Sequence, residues 1–441
     1  MNKTQLLKVV CFCIIFTFLF GAVSKILTST GDYRNYQWIT GFYEEEDNSL
    51  DAVYIGSSTC YAFWNSLVGW NEYGIAIYPY ASNDQPFEAT EYLIKETRKT
   101  QSDAVFIVNI KMIEDDGTIS TDRMHYLLDY IPSSITKLQL TNYLVEKANY
   151  SFSESLEFYL PVIRFHTRWS ELTPKDFDYE VDGLKGASFY STYLNDHEDL
   201  SSQYIVTDET NEIAESTIET LDSLLDYCEE EDINILFVTV PQVRKTEEEI
   251  KNINALAEYI SARGFDVLSL LNEADEVGLD LTQDFYNYMH ANIHGSIKYT
   301  HFLAKYLIEN YGFEDKRGQE EYSDWDEGYT SYAAKISRSV LDIELDQEHR
   351  DYNLSAPTSL AVSSLDGDAK ITWDGVDGAE GYAIYRNTTT WELVDYVYET
   401  SYIDETYEAG TSSSYRVVPF YETDGENYYG NFTYAGVSLS D

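Results

Sequence analysis

Five short apolar runs recur along the first three-quarters of this chain: 50–55 (LDAVYI), 74–81 (GIAIYPYA), 104–110 (AVFIVNI), 233–240 (INILFVTV) and 265–268 (FDVL). Runs of this length, rich in β-branched and aromatic residues and bounded by turn residues, read as strands buried on both faces. Between them, 86–97, 212–227 and 247–262 carry apolar residues at helical spacing. Strand, helix, strand in that order implies parallel pairing with a right-handed crossover. The alternation therefore predicts an α/β fold, an open doubly wound sheet. Ligands of such sheets sit at the C-terminal ends of the strands.

Two stretches fall on that rim. Gly56-Ser57-Ser58 closes the first run. A sharp turn there presents a serine hydroxyl above the sheet, at the start of a helix whose first backbone N–H groups can stabilise an oxyanion. The second is 283–312, QDFYNYMHANIHGSIKYTHFLAKYLIENYG. Asp284, Asn287, His290 and Asn292 crowd its front end, then Ile297, Thr300, Leu303, Ala304 and Leu307 recur at helical spacing. Gly312 stands where a helix stop belongs. A histidine ahead of a core helix, with a carboxylate near it, has the chemistry of a general base. His290 and His294 also have a helical metal spacing, but no third ligand accompanies them and no metal is expected.

The rhythm breaks over about 114–210. An excursion of that length reads as a helical insertion forming a cap or substrate-side wall. Arg168 and Trp169 within it are candidate substrate contacts, since a guanidinium and an indole can pair with or stack on a polar ligand. A further helix is expected over about 329–345. From 356 the texture changes to alternating apolar and polar residues, with turns at Asp366-Gly367 and Asp424-Gly425. That pattern predicts a separate antiparallel sandwich over 356–441, after a linker at 346–355.

At the other end, 6–23 (LLKVVCFCIIFTFLFGAV) is apolar but for Lys8. Eighteen helical residues at ~1.5 Å each give roughly 27 Å, close to a bilayer's hydrocarbon core. Residues 1–30 thus read as an uncleaved single-pass anchor with an extracellular remainder; the alternative is a cleaved signal ending at Ala22-Val23-Ser24. The formal charge of −48 repels phosphate backbones and argues against nucleic-acid binding. Four cysteines, Cys11, Cys13, Cys60 and Cys228, are too few and too scattered for a disulfide framework or a zinc site.

Residues 48–345 resemble the SGNH/GDSL hydrolase superfamily. Within it they are most similar to the exported, membrane-anchored bacterial branch of DltD and AlgX-type glycan O-acetyltransferases. The resemblance rests on YIGSS (54–58), YASNDQP (80–86) and DFYNYMHANIHGSIKYT (284–300). It implies a flavodoxin-like three-layer sandwich, Ser58 as nucleophile and His290 as its base. It also implies oxyanion donors from the Ser58 N–H and Gln85 or Asn83. Two places depart from the pattern. Asn287 stands where Asp is usual three residues before the histidine, so Asp284 or Asn287 orients His290. After the third strand, the family's usual asparagine is missing from its expected place, where Asn109-Ile110-Lys111 stands. The C-terminal part resembles fibronectin type III, an immunoglobulin-like sandwich, on Trp373, Tyr382, Tyr385 and Tyr415.

What this implies is an extracytoplasmic serine esterase or acetyl-type O-acyltransferase. Its substrate would be a cell-envelope polysaccharide or acylated glycan, with no cofactor. In a transferase system a separate membrane-bound O-acyltransferase would supply the acyl group. The alternative is a non-catalytic surface glycan-binding or adhesion protein with a degenerate core.

Overall fold

The computed structural model describes residues 2–28, 33–113, 118–177, 181, 183–191, 200–243, 245–346, 350–351, 353–365, 367–387, 391–407, 413–432 and 437–439. The N-terminal run is helix α1 (Lys3–Thr28), followed by α2 (Tyr33–Thr40). Among the described residues α1 alone is long and apolar enough to cross a membrane.

Five parallel strands form the central sheet: β1 (Ala52–Gly56), β2 (Ile77–Ala81), β3 (Val105–Asn109), β4 (Ile235–Thr239) and β5 (Asp266–Ser269). Their order is β2-β1-β3-β4-β5. Strand residues alternate between two cores. Val53, Ile55, Tyr78, Tyr80, Phe106, Val108, Ile235 and Phe237 face one side. Ala52, Tyr54, Ile77, Ala81, Val105, Ile107, Leu236 and Val238 face the other. Both faces must then be covered, which is why the strands read as unbroken apolar runs.

Short helices α3 (Ser58–Phe63) and α4 (Ser66–Tyr73) lie between β1 and β2. Gly74, at φ 70, ends α4 in a left-handed turn, so the second strand begins at Ile77 rather than at residue 74. After β2 comes α5 (Thr90–Thr97). The excursion between β3 and β4 carries α6 (Thr121–Leu128), α7 (Ile135–Lys147), α8 (Phe152–Tyr159), α9 (Val162–Phe165) and a 3-10 turn at His166–Ser170, then leads into α10 (Glu215–Glu230). Helix α11 (Glu247–Ala262) opens with a Thr246/Glu249 capping box and three glutamates in its first turn, both favourable at a helix N-terminus. It is followed by α12 (Ala274–Val277). A small hairpin, β6 (Phe285–Asn287) and β7 (His290–Ala291), then leads into α13 (Ile293–Tyr311). Helices α3 and α13 bury their apolar residues in one core, α5, α10 and α11 in the other.

The last helix, α14 (Ser323–Asp346), buries Leu341 and Leu345 against Ala383, Val418 and Phe420 of the C-terminal unit. That unit is an antiparallel sandwich. One sheet joins β8 (Ala361–Leu365), β9 (Asp368–Thr372) and β12 (Ser401–Asp404). The other joins β10 (Gly381–Asn387), β11 (Trp391–Val397), β13 (Ser413–Thr423), β14 (Glu426–Tyr429) and β15 (Val437–Leu439). Ile371, Trp373, Tyr382, Tyr415 and Val417 pack between them. The turn expected at Asp366-Gly367 includes Asp366, which lies outside the described residues.

Candidate functional site

Strand order reverses beside β1: β2 lies on one side and β3 on the other. A crevice opens at the C-terminal end of such a switch point. Ser58, the first residue of α3, sits at this end of β1. The turn is tight. A Cβ on Gly56 would stand 2.4 Å from Cys60 Sγ and 2.9 Å from Asn109 Cβ, so the bend is open only to glycine without displacement of both neighbours.

His290 reaches Ser58 from the hairpin. Its Nε2 lies 2.7 Å from Ser58 Oγ. The tautomer follows from Asn287. Asn287 Oδ1 accepts the backbone N–H groups of Met289 (2.9 Å) and His290 (3.0 Å), which settles which carboxamide atom is the oxygen. The same oxygen lies 2.9 Å from His290 Nδ1, so Nδ1 carries the proton and donates it there. Nε2 is left as the acceptor for the Ser58 hydroxyl. Burial holds the imidazole's pKa down to about 4, because a desolvated ring resists the charged form. The ring is neutral, and available as a base, throughout the neutral range.

Asp284 does not share in this. It is fully buried, and its Oδ2 accepts Lys298 Nζ at 2.6 Å and the Asp280 N–H at 2.7 Å. Its carbonyl accepts the Asn292 N–H at 2.9 Å, and Asn292 in turn caps α13 through His294 N and Gly295 N. Asp284 therefore ties the loop before the hairpin to α13, and the imidazole gives its second hydrogen bond to Asn287. The physical reason is chain direction. The hairpin turns the 287 side chain beside its cross-strand partner His290, while residue 284 lies before the hairpin and faces the helix.

A cavity of about 100 Å³ adjoins the pair, lined by Ser57, Ser58, Asp84, Asn109, Lys111, Lys245 and His290 among others. By share of liquid volume that is room for roughly three waters. Asn83 and Gln85 do not line it. Asn83 Oδ1 accepts the Tyr61 hydroxyl at 2.5 Å, and Gln85 Oε1 accepts the Ser82 hydroxyl at 3.3 Å. The residue between them, Asp84, bends into the crevice at φ 45 and pairs with Lys111 at 2.6 Å. Asn109 does line it: it ends β3, is buried, and its carboxamide lies between the cavity and the Tyr54 hydroxyl, to which it is hydrogen-bonded. The signal was in the sequence: an asparagine as the last residue of an apolar strand that neighbours β1. Lys245 has its pKa lowered, chiefly by burial and secondarily by Lys111 nearby.

Arg168 and Trp169 are not brought to this cavity. Arg168 pairs with Asp176 at 2.7 Å and donates to the Leu27 carbonyl in the last turn of α1. Trp169 is 72% exposed. The insertion reaches the site through Tyr190 instead. Its carbonyl accepts the Ile293 N–H at 2.9 Å, and its ring stacks on Tyr286 at 4.2 Å and lies 6.4 Å from the His290 ring.

No family model matches the chain, and no curated protein matches it. Similar solved structures include an FN3tt variant, at 19% identity and a TM-score of 0.17, covering 20% of this chain and 93% of its own. A Fn3-like protein from Clostridium thermocellum has 22% identity and a TM-score of 0.16, covering 20% of this chain and 92% of its own. A beta-1,2-glucanase from Parabacteroides distasonis has 24% identity and a TM-score of 0.16, covering 20% of this chain and 12% of its own.

Proposed function

We propose that this chain is a serine esterase or acetyl-type O-acyltransferase of the SGNH kind, acting outside the cytoplasm on an acylated cell-envelope glycan. One observation carries the reading: the Ser58 hydroxyl lies 2.7 Å from a neutral His290 whose tautomer Asn287 sets for accepting its proton. The strand order β2-β1-β3-β4-β5, with helices on both faces, supports a flavodoxin-like core. The C-terminal sandwich, with Trp373 and Tyr382 packed at 5.2 Å in its core, fits a fibronectin type III-like module.

In this reading Ser58 Oγ attacks the ester carbonyl as His290 Nε2 takes its proton. The tetrahedral oxyanion is met by the first amides of α3, which the helix's own ladder leaves over, and by Asn109 Nδ2. Collapse expels the alcohol, which receives the proton from His290, and leaves an acyl-Ser58. Water or a sugar hydroxyl then gives its proton to His290 and takes the acyl group, restoring Ser58. A cavity of about 100 Å³ suits a two-carbon acyl group better than a long chain.

Treating the full-length protein with a fluorophosphonate tests this. An adduct on Ser58, absent in His290→Ala, is expected; a folded protein that takes no label sinks the catalytic reading. Acetate release against acetyl transfer to a sugar then separates esterase from transferase. A second reading, a glycan-binding protein with an idle core, is favoured by the uncharged Asn287 behind His290. The same labelling decides between the two.

A further inference from the structure

Outside α1, exposed large apolar side chains concentrate in the insertion: Ile135, Leu138, Leu160, Ile163 and Trp169 are 79%, 51%, 40%, 44% and 72% exposed. Ile135 and Leu138 are three apart on α7 and so share a face. Residues 131–177 hold five Lys or Arg and five Asp or Glu, against 29 and 77 in the whole chain. A neutral, apolar surface on so acidic a protein calls for a partner.

Its position says which. The insertion is seated on the outer end of α1: α9 and the 3-10 turn His166–Ser170 pack on that helix, and Arg168 donates to the Leu27 carbonyl. A groove of about 680 Å³ between them is lined by Phe20, Gly21 and Ser24 of α1 and by Leu138, Tyr159 and Leu160 of the insertion. Side chains of α7 and of the turn after α8 thus stand level with the last turns of the apolar helix.

We propose that this face of the insertion is a monotopic membrane surface, half-sunk in the interfacial layer of the bilayer that α1 spans. An exposed tryptophan beside a helix end, with exposed branched aliphatics in the same insertion and no excess of negative charge, is the chemistry that headgroup-level lipid accepts. An anionic leaflet would repel the rest of this chain but not this patch. The inference rests on reading α1 as a membrane helix.

Trp169 is a built-in reporter. The other six tryptophans, Trp38, Trp64, Trp70, Trp325, Trp373 and Trp391, are all buried. Full-length protein is reconstituted in phosphatidylcholine vesicles with or without bromine on the acyl chains. Bromolipid should quench part of the emission, and Trp169→Phe should abolish that quenching. Ile163→Trp in the Trp169→Phe background should restore it. Tyr398→Trp, at a site 71% exposed on the C-terminal sandwich, should not. The proposal is overturned if Trp169 is untouched by bromolipid yet open to aqueous iodide in protein that floats with the vesicles. Protein that fails to float overturns the α1 reading, and this one with it.

Discussion

Replacing Asn287 with aspartate changes one thing about His290 and leaves its geometry alone. Asn287 Oδ1 accepts three N–H groups at 2.9, 3.0 and 2.9 Å. A carboxylate accepts the same three, so hairpin and tautomer survive. What is new is a negative charge in contact with the imidazole. Burial alone holds that ring at about 4. An opposite charge at contact distance raises an imidazole by ~1–3 units, or about 1.4–4 kcal/mol in favour of the imidazolium. The sign is upward, since the charged form is the one stabilised. The rate of fluorophosphonate labelling at Ser58 reads this for an esterase and a transferase alike. In the native protein its acid limb should lie near pH 4 and the rate be flat above it. In Asn287→Asp the limb should move up by ~1–3 units, with a faster plateau, because the imidazolium that forms in the transition state is now paired. Superimposed limbs would refute the assignment of Asn287 as the group touching His290.

Three further outcomes follow from the same geometry. Asn109→Ala should lower kcat for ester hydrolysis by about 10²–10³ with KM little changed, as for loss of one oxyanion donor; a loss under about threefold would remove Asn109 from the site. Asp284→Ala leaves the half-buried Asp280 N–H without its acceptor and frees Lys298, at a cost of about 1–3 kcal/mol in urea unfolding. The acid limb of labelling should stay where it is, and a limb that moves would make Asp284 an electrostatic partner after all. Finally, the depressed His290 pKa makes the unfolded chain the better proton acceptor between its ordinary 6.5 and about 4. Stability should therefore fall as pH drops through that window, by of order 3 kcal/mol, and His290→Gln should flatten that part of the profile.

The sheet was legible because its strands are buried on both faces, which writes them as apolar runs. Helix α11 was legible to the residue, 247–262, because Thr246 and Glu249 cap it and its apolar face is one-sided. Helix α4 was not. Ser66 to Trp70 are all buried, so no polar face marks the helical period. The hairpin of β6 and β7, three residues and two, is too short to carry an alternating pattern. That omission decided the reading of the site. Without the hairpin, nothing distinguished a charged Asp284 from a neutral Asn287 as partner of His290. Asn83 and Gln85 were what the resemblance of residues 80–86 implied as oxyanion donors, but their carboxamides face Tyr61 and Ser82. Arg168 and Trp169 looked like ligand contacts since cation and indole stand together; the tie of Arg168 to the last turn of α1 crosses 141 residues of chain.

Placing an amide rather than a carboxylate behind His290 separates two jobs that a triad's acid usually does together. Orientation is kept, because one oxygen receives both the hairpin's amides and the ring's Nδ1–H. Charge is given up, so the imidazolium is stabilised only by dipoles. The carboxylate of the same stretch is used elsewhere: Asp284 is tied to Lys298 and Asp280, holding the chain that leads into the hairpin against α13. In that reading His290 is positioned by Asn287 behind its ring, while Tyr190 over Tyr286, Asn292 capping the helix that follows and the Asp284–Lys298 pair hold the chain around it. Such a site depends on fixed geometry more than on field. Changes that loosen the hairpin without touching Ser58, at Tyr190 or Asn292, should thus cost it more than changes in surface charge.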